Sequence, residues 1–174
     1  MNRVVCLGDV MVDVVARHRG GLAHGSDTPA TIALLGGGSA ANTAAWLVAA
    51  GCRATYVGRV GDDPLGRHAL DVLRTSGVDL EVSVDPALPT GACIVLVDEH
   101  GERTMLPSAG ANAVGGAPPA PDDEHLHVSA YALFHEPART TALAALARAR
   151  AAGRPVSVDA ASAAPLGAYG ATRF

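Results

Sequence analysis

The chain predicts an α/β fold, and three observations carry that expectation. Strand and helix patterns alternate through residues 3–77, a Pro/Gly-rich stretch at 115–124 is followed by another strand, helix and strand pattern, and aromatic residues are scarce. Aromatics make up 3% of the chain against 49% hydrophobic residues, so packing falls to Ala, Val and Leu, which suits close helix-on-sheet contact. With 174 residues, one domain with its own core is expected.

The first element is "RVVCLGDV" (3–10), a β-branched apolar run ending in Gly-Asp, as a buried strand delivering a loop would end. "MVDVVARH" continues extended, and "ATIALL" (30–35) is a second short strand after a glycine-containing loop. Ala40 to Ala50 favours a helix, with Ser39 as its cap and Gly51 as its stop. "ATYVGRVG" reads as a strand, and "DDPLGRHALDVLRTSG" as a helix capped by Asp63, with Pro64 at its first position and Gly77 beyond its end. "LEVSV" and "GACIVLVDEHGERTMLP" read as antiparallel pieces of a small separate sheet, with "DEHGER" as the turn. "LHVSAYALF" is a strand, the helix opened by Pro137 follows, and "PVSVDA" is a strand ending in Asp159. The tail after Ala160 shows no clear element.

Charge and composition exclude several function classes. All 13 basic residues are arginine against 17 acidic ones, a net charge of −4, and nucleic acid is not an expected partner. The absence of lysine removes a Walker-type phosphate loop and any Schiff-base chemistry. Cys6, Cys52 and Cys93 are odd in number and embedded in apolar runs, so they read as buried reduced thiols of a cytoplasmic protein. Asp9 and Asp13 interrupt the first apolar run too soon for a signal peptide or a membrane span. His125 and His127, with the acids of "DDE", His135 and Glu136, raise the question of zinc, but a polar strand entry is the reading preferred and no metal site is expected.

The stretch "LLGGGSAANTAAWLVAAG" (34–51) sets three glycines and a serine ahead of a helix. Bare backbone at a helix start lets a ligand approach first-turn N–H groups backed by the positive end of the helix dipole. A tight turn with a serine cap is the plain alternative. Gly36 to Ala41 also fits the dinucleotide pattern G-x-G-x-x-A, with Asp62 about twenty residues on, although that pattern belongs after a first strand.

The wider segment "GGGSAANTAAWLVAAGCRATYVGRVGDDPLG" (36–66) resembles the N-terminal signature of the ribokinase-like (PfkB) family of carbohydrate and nucleoside kinases. Its marks are the Gly-Gly pair, Asn42 in the first helical turn, and Gly58, Gly61, Asp62, Asp63 and Gly66. "LGDVMVD", "PTGACIVLVDEHGERTM", "GAN" (110–112), "VSAYALF" and "RPVSVDA" resemble later family segments in the same order.

The resemblance implies a mostly parallel central sheet flanked by helices with a small β lid, its strands within about 14–34 and 80–108. It implies a substrate site of Asp13, Gly37, Gly38, Ser39, Asn42 and, on the lid, Arg103, closing over a sugar or nucleoside. It implies phosphorylation of a primary hydroxyl by ATP with Mg2+, whose binding residues lie in a second half that residues 1–174 are expected to lack, along with the catalytic base. Met11 and Ser39 stand where some members carry a polar residue and a lysine, which leaves the substrate class open. The isolated chain is therefore expected to be inactive as a kinase, with lid strands offering a route to a homodimer. The reading from a different class is a non-catalytic binding module, such as a dinucleotide-binding domain.

Overall fold

The computed structural model describes residues 3–117, 125–170, 172 and 174. Strand β1 (Arg3–Leu7) is central in a five-stranded parallel sheet of order β5-β4-β1-β8-β9, where β4 is Arg53–Gly61, β5 Asp79–Asp85, β8 His125–Val128 and β9 Val156–Val158. Its side chains alternate between two cores. Val5 and Leu7 face one side with Val57, Leu126 and Val128, while Cys6 faces the other with Tyr56 and Val60. Both faces are covered, as a parallel sheet requires.

Alanine governs the helix contacts. Helix α1 (Ser39–Ala49) buries Ala40, Ala41 and Ala44, and α3 (Ala138–Ala151) buries Ala138, Ala142, Ala145 and Ala149. The α3 stripe follows helical spacing and lets the helix axis come close to β1 and β8. Helix α2 (Pro64–Thr75) begins as its sequence predicts: the Asp63 carboxylate accepts the Gly66 N–H at 2.7 Å and Pro64 takes the first helical position. Gly77, just past its end, adopts φ +80°.

A second sheet has the order β3-β2-β6-β7, where β2 is Met11–His18, β3 Ala30–Gly37, β6 Ala92–Val97 and β7 Arg103–Ser108. Strand β2 pairs antiparallel with β3 and parallel with β6, and β6 turns back into β7. The turn is organised by Asp98, whose carboxylate accepts the His100 and Glu102 N–H groups. This four-stranded sheet is the lid.

Four expectations are corrected. "LEVSV" belongs to β5, which pairs parallel with β4 in the main sheet, because β4, α2 and β5 form one crossover unit; its half-exposed alternation is that of an edge strand. The strand at 125 ends at Val128, where Ser129 accepts the Tyr131 N–H and opens a 3-10 turn over Ala130–Leu133. The tail carries helix α4 (Ala163–Tyr169), which buries none of its residues but lays the Tyr169 ring 5.3 Å from that of Phe134. Cys52 is only partly covered, whereas Cys6 and Cys93 are buried. Most of the Pro/Gly-rich stretch, 118–124, including the acids of "DDE", lies outside the described residues. No helix among the described residues is long and apolar enough to cross a membrane.

Candidate functional site

The three glycines ahead of α1 have three different neighbours. A Cβ on Gly36 would strike Val72 of α2, so this glycine serves packing. Gly38, at φ +99°, caps α1, and a Cβ there would lie 2.6 Å from the Asp9 carbonyl oxygen and 2.7 Å from Val10 Cα. Backbone meets backbone at Gly38, with no space for a ligand on that side. Only Gly37 faces a functional group: its added Cβ would sit 2.5 Å from Asp13 Oδ1 and 2.6 Å from Oδ2.

Asp13 reaches this place because β2 and β3 are antiparallel with Met11 opposite Gly37, which leaves Asp13 diagonal to the glycine and beside Cys93 of β6. Burial, then the nearby Asp9 charge, raises the proton affinity of its carboxyl above the ordinary aspartate range. Cys93 is raised in turn by burial and by the charge of Asp13.

The α1 mouth is not open. Asp9, buried in the loop after β1, places Oδ2 2.8 Å from the Ser39 N–H and Oδ1 2.7 Å from the Ser129 hydroxyl, with the Ala40 N–H at 3.5 Å. Its carbonyl accepts the Ala41 N–H. The expectation that Ser39 caps the helix is corrected: Gly38 holds the cap position without a side chain, and Asp9 satisfies the first N–H groups from thirty residues away. The Ser39 hydroxyl instead donates to Asp159 Oδ2 at 2.6 Å, while Asp159 Oδ1 accepts the Ala130 and Ala161 N–H groups.

Of the remaining expected site residues, Asn42 is exposed on α1 and lines an open groove with Ser39, Thr43, Trp46, Leu47 and Ala50. That groove includes neither Asp13 nor Gly37, but a second, smaller cavity is lined by Gly36, Gly37 and Asn42 together. Arg103 is exposed and lies in the row of Val97 and Arg17, four residues along β2 from Asp13. At strand rise this is about 13 Å from Asp13 along the lid, and the fold does not bring the two together.

His125 and His127 do share one face of β8, and both hydrogen-bond to the Ser157 hydroxyl, at 2.8 and 3.0 Å. Burial lowers the proton affinity of His127; Asp159, 3.8 Å away, opposes this and His125 reinforces it. Among the described residues no three His, Cys, Asp or Glu side chains gather as a metal-binding group. A nucleotide phosphate does not fit the α1 mouth either, because the Asp9 carboxylate occupies its donors.

Two residues that the sequence reading left out of the site, Asn112 of "GAN" and Asp9 of "LGDVMVD", complete the arrangement. Asn112 brackets Val10, accepting its N–H and donating to its carbonyl, and so pins the segment between Asp9 and β2. Asp9 carried one signal, its place after Gly8 at the end of a buried strand.

A parallel sheet flanked by helices, joined to a four-stranded sheet in which the Asp13 carboxylate lies against the bare backbone of Gly37, makes up this α/β fold. The model of the pfkB family carbohydrate kinases matches residues 1–169, and the chain belongs to that family. The Klebsiella pneumoniae fructokinase is 35% identical over 91% of this chain and 50% of its own length. The ATP-dependent ribose-1-phosphate kinase of Halopiger xanaduensis is 38% identical over 91% of this chain and 54% of its own. The apo structure of the Vibrio cholerae O395 fructokinase superposes with a TM-score of 0.74 at 32% identity, over 91% of this chain and 53% of that one. The chain thus spans about half the length of the curated relatives it matches.

Proposed function

We propose that this chain is the sugar-binding half of a cytoplasmic kinase that moves the γ-phosphoryl group of ATP, with Mg2+, to a primary hydroxyl of a sugar. The observation that carries the reading is the Asp13 carboxylate set against the side-chain-free Gly37. A sugar lying there gives hydrogen bonds from two hydroxyls to one charged acceptor, each stronger than a neutral pair. Gly37 lets the Asp13 carboxylate lie against the main chain and present its oxygens to the sugar, and Asn42, which shares a cavity with Gly37, supplies both a donor and an acceptor at the rim. ATP and Mg2+ supply the transferable phosphoryl group and its charge neutralisation; the α1 mouth, filled by Asp9, is no seat for them. The isolated chain binds sugar without phosphorylating it.

Calorimetry against fructose, ribose, a nucleoside and NAD tests this reading, with Asp13→Ala as control. Sugar affinity lost in Asp13→Ala supports it. Affinity for NAD alone favours the dinucleotide module, which must place a pyrophosphate where Asp9 now sits. Sugar-dependent ATP turnover by the purified chain refutes inactivity.

A homodimer through the lid is the partner reading a specific surface favours. Leu34, Val14, Ile94 and Leu106 form one apolar row across all four lid strands, next to Ile32, and Leu34, Ile94, Leu106 and Ile32 are each at least half exposed. Ile94→Arg turns a dimer into a monomer in sedimentation if a second copy covers this face.

A further inference from the structure

We propose that Asp9 is a positioning residue for the sugar cradle, a built-in anion that fills the α1 mouth, fixes the Gly37–Gly38 backbone beneath Asp13 and sets a second negative charge beside it. The inference deepens the sugar-binding reading and rests on it for the ligand, while the seating of Asp9 at the α1 mouth stands on its own contacts.

Elements that are far apart in the chain converge on Asp9. Its carboxylate takes the Ser39 N–H at the start of α1 and the fully buried Ser129 hydroxyl at the end of β8. Its carbonyl takes the Ala41 N–H and forms the wall against which Gly38 packs. Asn112 holds the next residue, Val10, by both backbone groups, and the Val12 N–H donates to the Gly91 carbonyl. The strand carrying Asp13 therefore leaves a segment that is tied on both sides, and the strand carrying Gly37 enters one that Asp9 holds.

A buried carboxylate with three donors is stable in place, and it leaves the helix start no affinity for an outside anion. Truncating it frees those N–H groups and lets Asp13 or a solvent anion swing toward them. Loss of Asp9 thus changes where Asp13 points, even though Asp9 touches no sugar.

The electrostatic half of the role is read by pH. The titratable groups around Asp9 are Asp13 on β2, Asp159 after β9 through Ser39, His127 on β8 beside Asp159, Cys93 beside Asp13, Cys6 on β1, and Tyr56 on β4, whose hydroxyl donates to the Gly8 carbonyl. Burial and the Asp9 charge both push the Tyr56 hydroxyl, held against the neighbouring Gly8 carbonyl, well above its usual range.

The test follows the Asp13 carboxyl by carbon-detected NMR in the unmutated chain and in Asp9→Asn, which keeps an acceptor for the helix start and removes the charge. The expected result is a lower Asp13 midpoint in Asp9→Asn, with the acid limb of fructose binding moving to lower pH by the same amount. An unchanged Asp13 midpoint overturns the proposal. If the midpoint moves but neither protein binds any sugar, the coupling holds and the sugar reading fails. Should Asp9→Asn not fold, Ser129→Ala, which removes the hydroxyl that holds Asp9 Oδ1, replaces it and should weaken fructose binding and move the Asp13 midpoint; both unchanged in that variant overturn the proposal.

Discussion

Two adjacent glycines should give opposite phenotypes when each is replaced by alanine. In Gly37→Ala the new methyl starts 2.5 Å from Asp13 Oδ1, whereas ordinary contact needs about 3.4 Å, so the carboxylate must retreat by about 1 Å. The group that yields is the end of a side chain, and Gly37 lies in a regular strand, so the fold loses less than about 1 kcal/mol, the lower edge of overpacking costs. The binding penalty is larger. A hydrogen bond to a charged group contributes about 1.5–3 kcal/mol, so misplacing the carboxylate weakens sugar binding roughly ten- to hundredfold.

Gly38→Ala reverses the balance. Its φ of +99° is strained for any side chain, and the methyl would strike the Asp9 carbonyl and Val10 Cα, which are backbone and cannot rotate away. The expected cost is about 2 kcal/mol or more, a fall in Tm of about 4–8 °C for a chain of this size. Calorimetry with the sugar that binds, alongside a thermal melt, separates the two. If Gly37→Ala binds within about twofold of the unmutated chain while Asp13→Ala does not bind, the placement of Asp13 over Gly37 does not govern affinity and the reasoning fails.

Three further outcomes follow from the same contacts. Asp13→Asn should raise Tm at pH 7 while abolishing sugar binding: the folded-state pKa of Asp13 is raised, so its ionised form weakens the fold above that pKa, and the weakening is relieved as pH falls through it; an unchanged or lower Tm contradicts this. Asp63 is the opposite case, for burial pulls its pKa up but hydrogen bonds from Thr90 and Gly66 outweigh it and leave it lowered. Its contribution is therefore present above the unfolded pKa and lost as pH falls below it, and Asp63→Ala should cost about 0.5–2 kcal/mol at pH 7, shrinking in acid melts. Thiol labelling of the native chain should modify Cys52 first, because burial pushes the Cys6 thiol up to about 12 and raises Cys93 as well; rapid labelling of three thiols at neutral pH counts against the packing around Cys6 and Cys93.

What the sequence made legible was local. Asp63, Pro64 and Gly77 mark α2 through contacts within a turn of the helix, and the β-branched run of β1 announces a strand buried on both faces. What it hid was carried by distant partners. The chemistry of the α1 mouth depends on Asp9, thirty residues upstream, and the Ser39 hydroxyl is claimed by Asp159, 120 residues downstream; neither spacing follows a periodic rule. Strand β5 reads as a lid piece because alternation reports exposure, and an edge strand of the main sheet is as exposed as a lid strand. Helix α4 has no buried stripe, so its Ala/Gly/Pro composition gave no period to detect.

On the proposed sugar-binding reading, the charge around Asp13 favours a neutral sugar over a phosphorylated one. Glycine-rich helix starts favour phosphate when their N–H groups are free, but here Asp9 has consumed that preference and Asp13 adds a second negative charge on the adjoining strand. Asp159, bound to the Ser39 hydroxyl, adds a third carboxylate at the same mouth. A neutral polyhydroxyl gives hydrogen bonds to this surface without repulsion, whereas a phosphate on the same end of the sugar faces like charge. Ribose should therefore bind more tightly than ribose 1-phosphate at low ionic strength, and the gap should narrow as salt screens the repulsion over a Debye length of about 10 Å at 0.1 M. Arg103, about 13 Å along the lid, lies too far to neutralise a phosphate held at Asp13. Tighter binding of the phosphorylated sugar, or a gap that widens with salt, would show that the helix start is open to anions in solution and that Asp9 does not hold the seat.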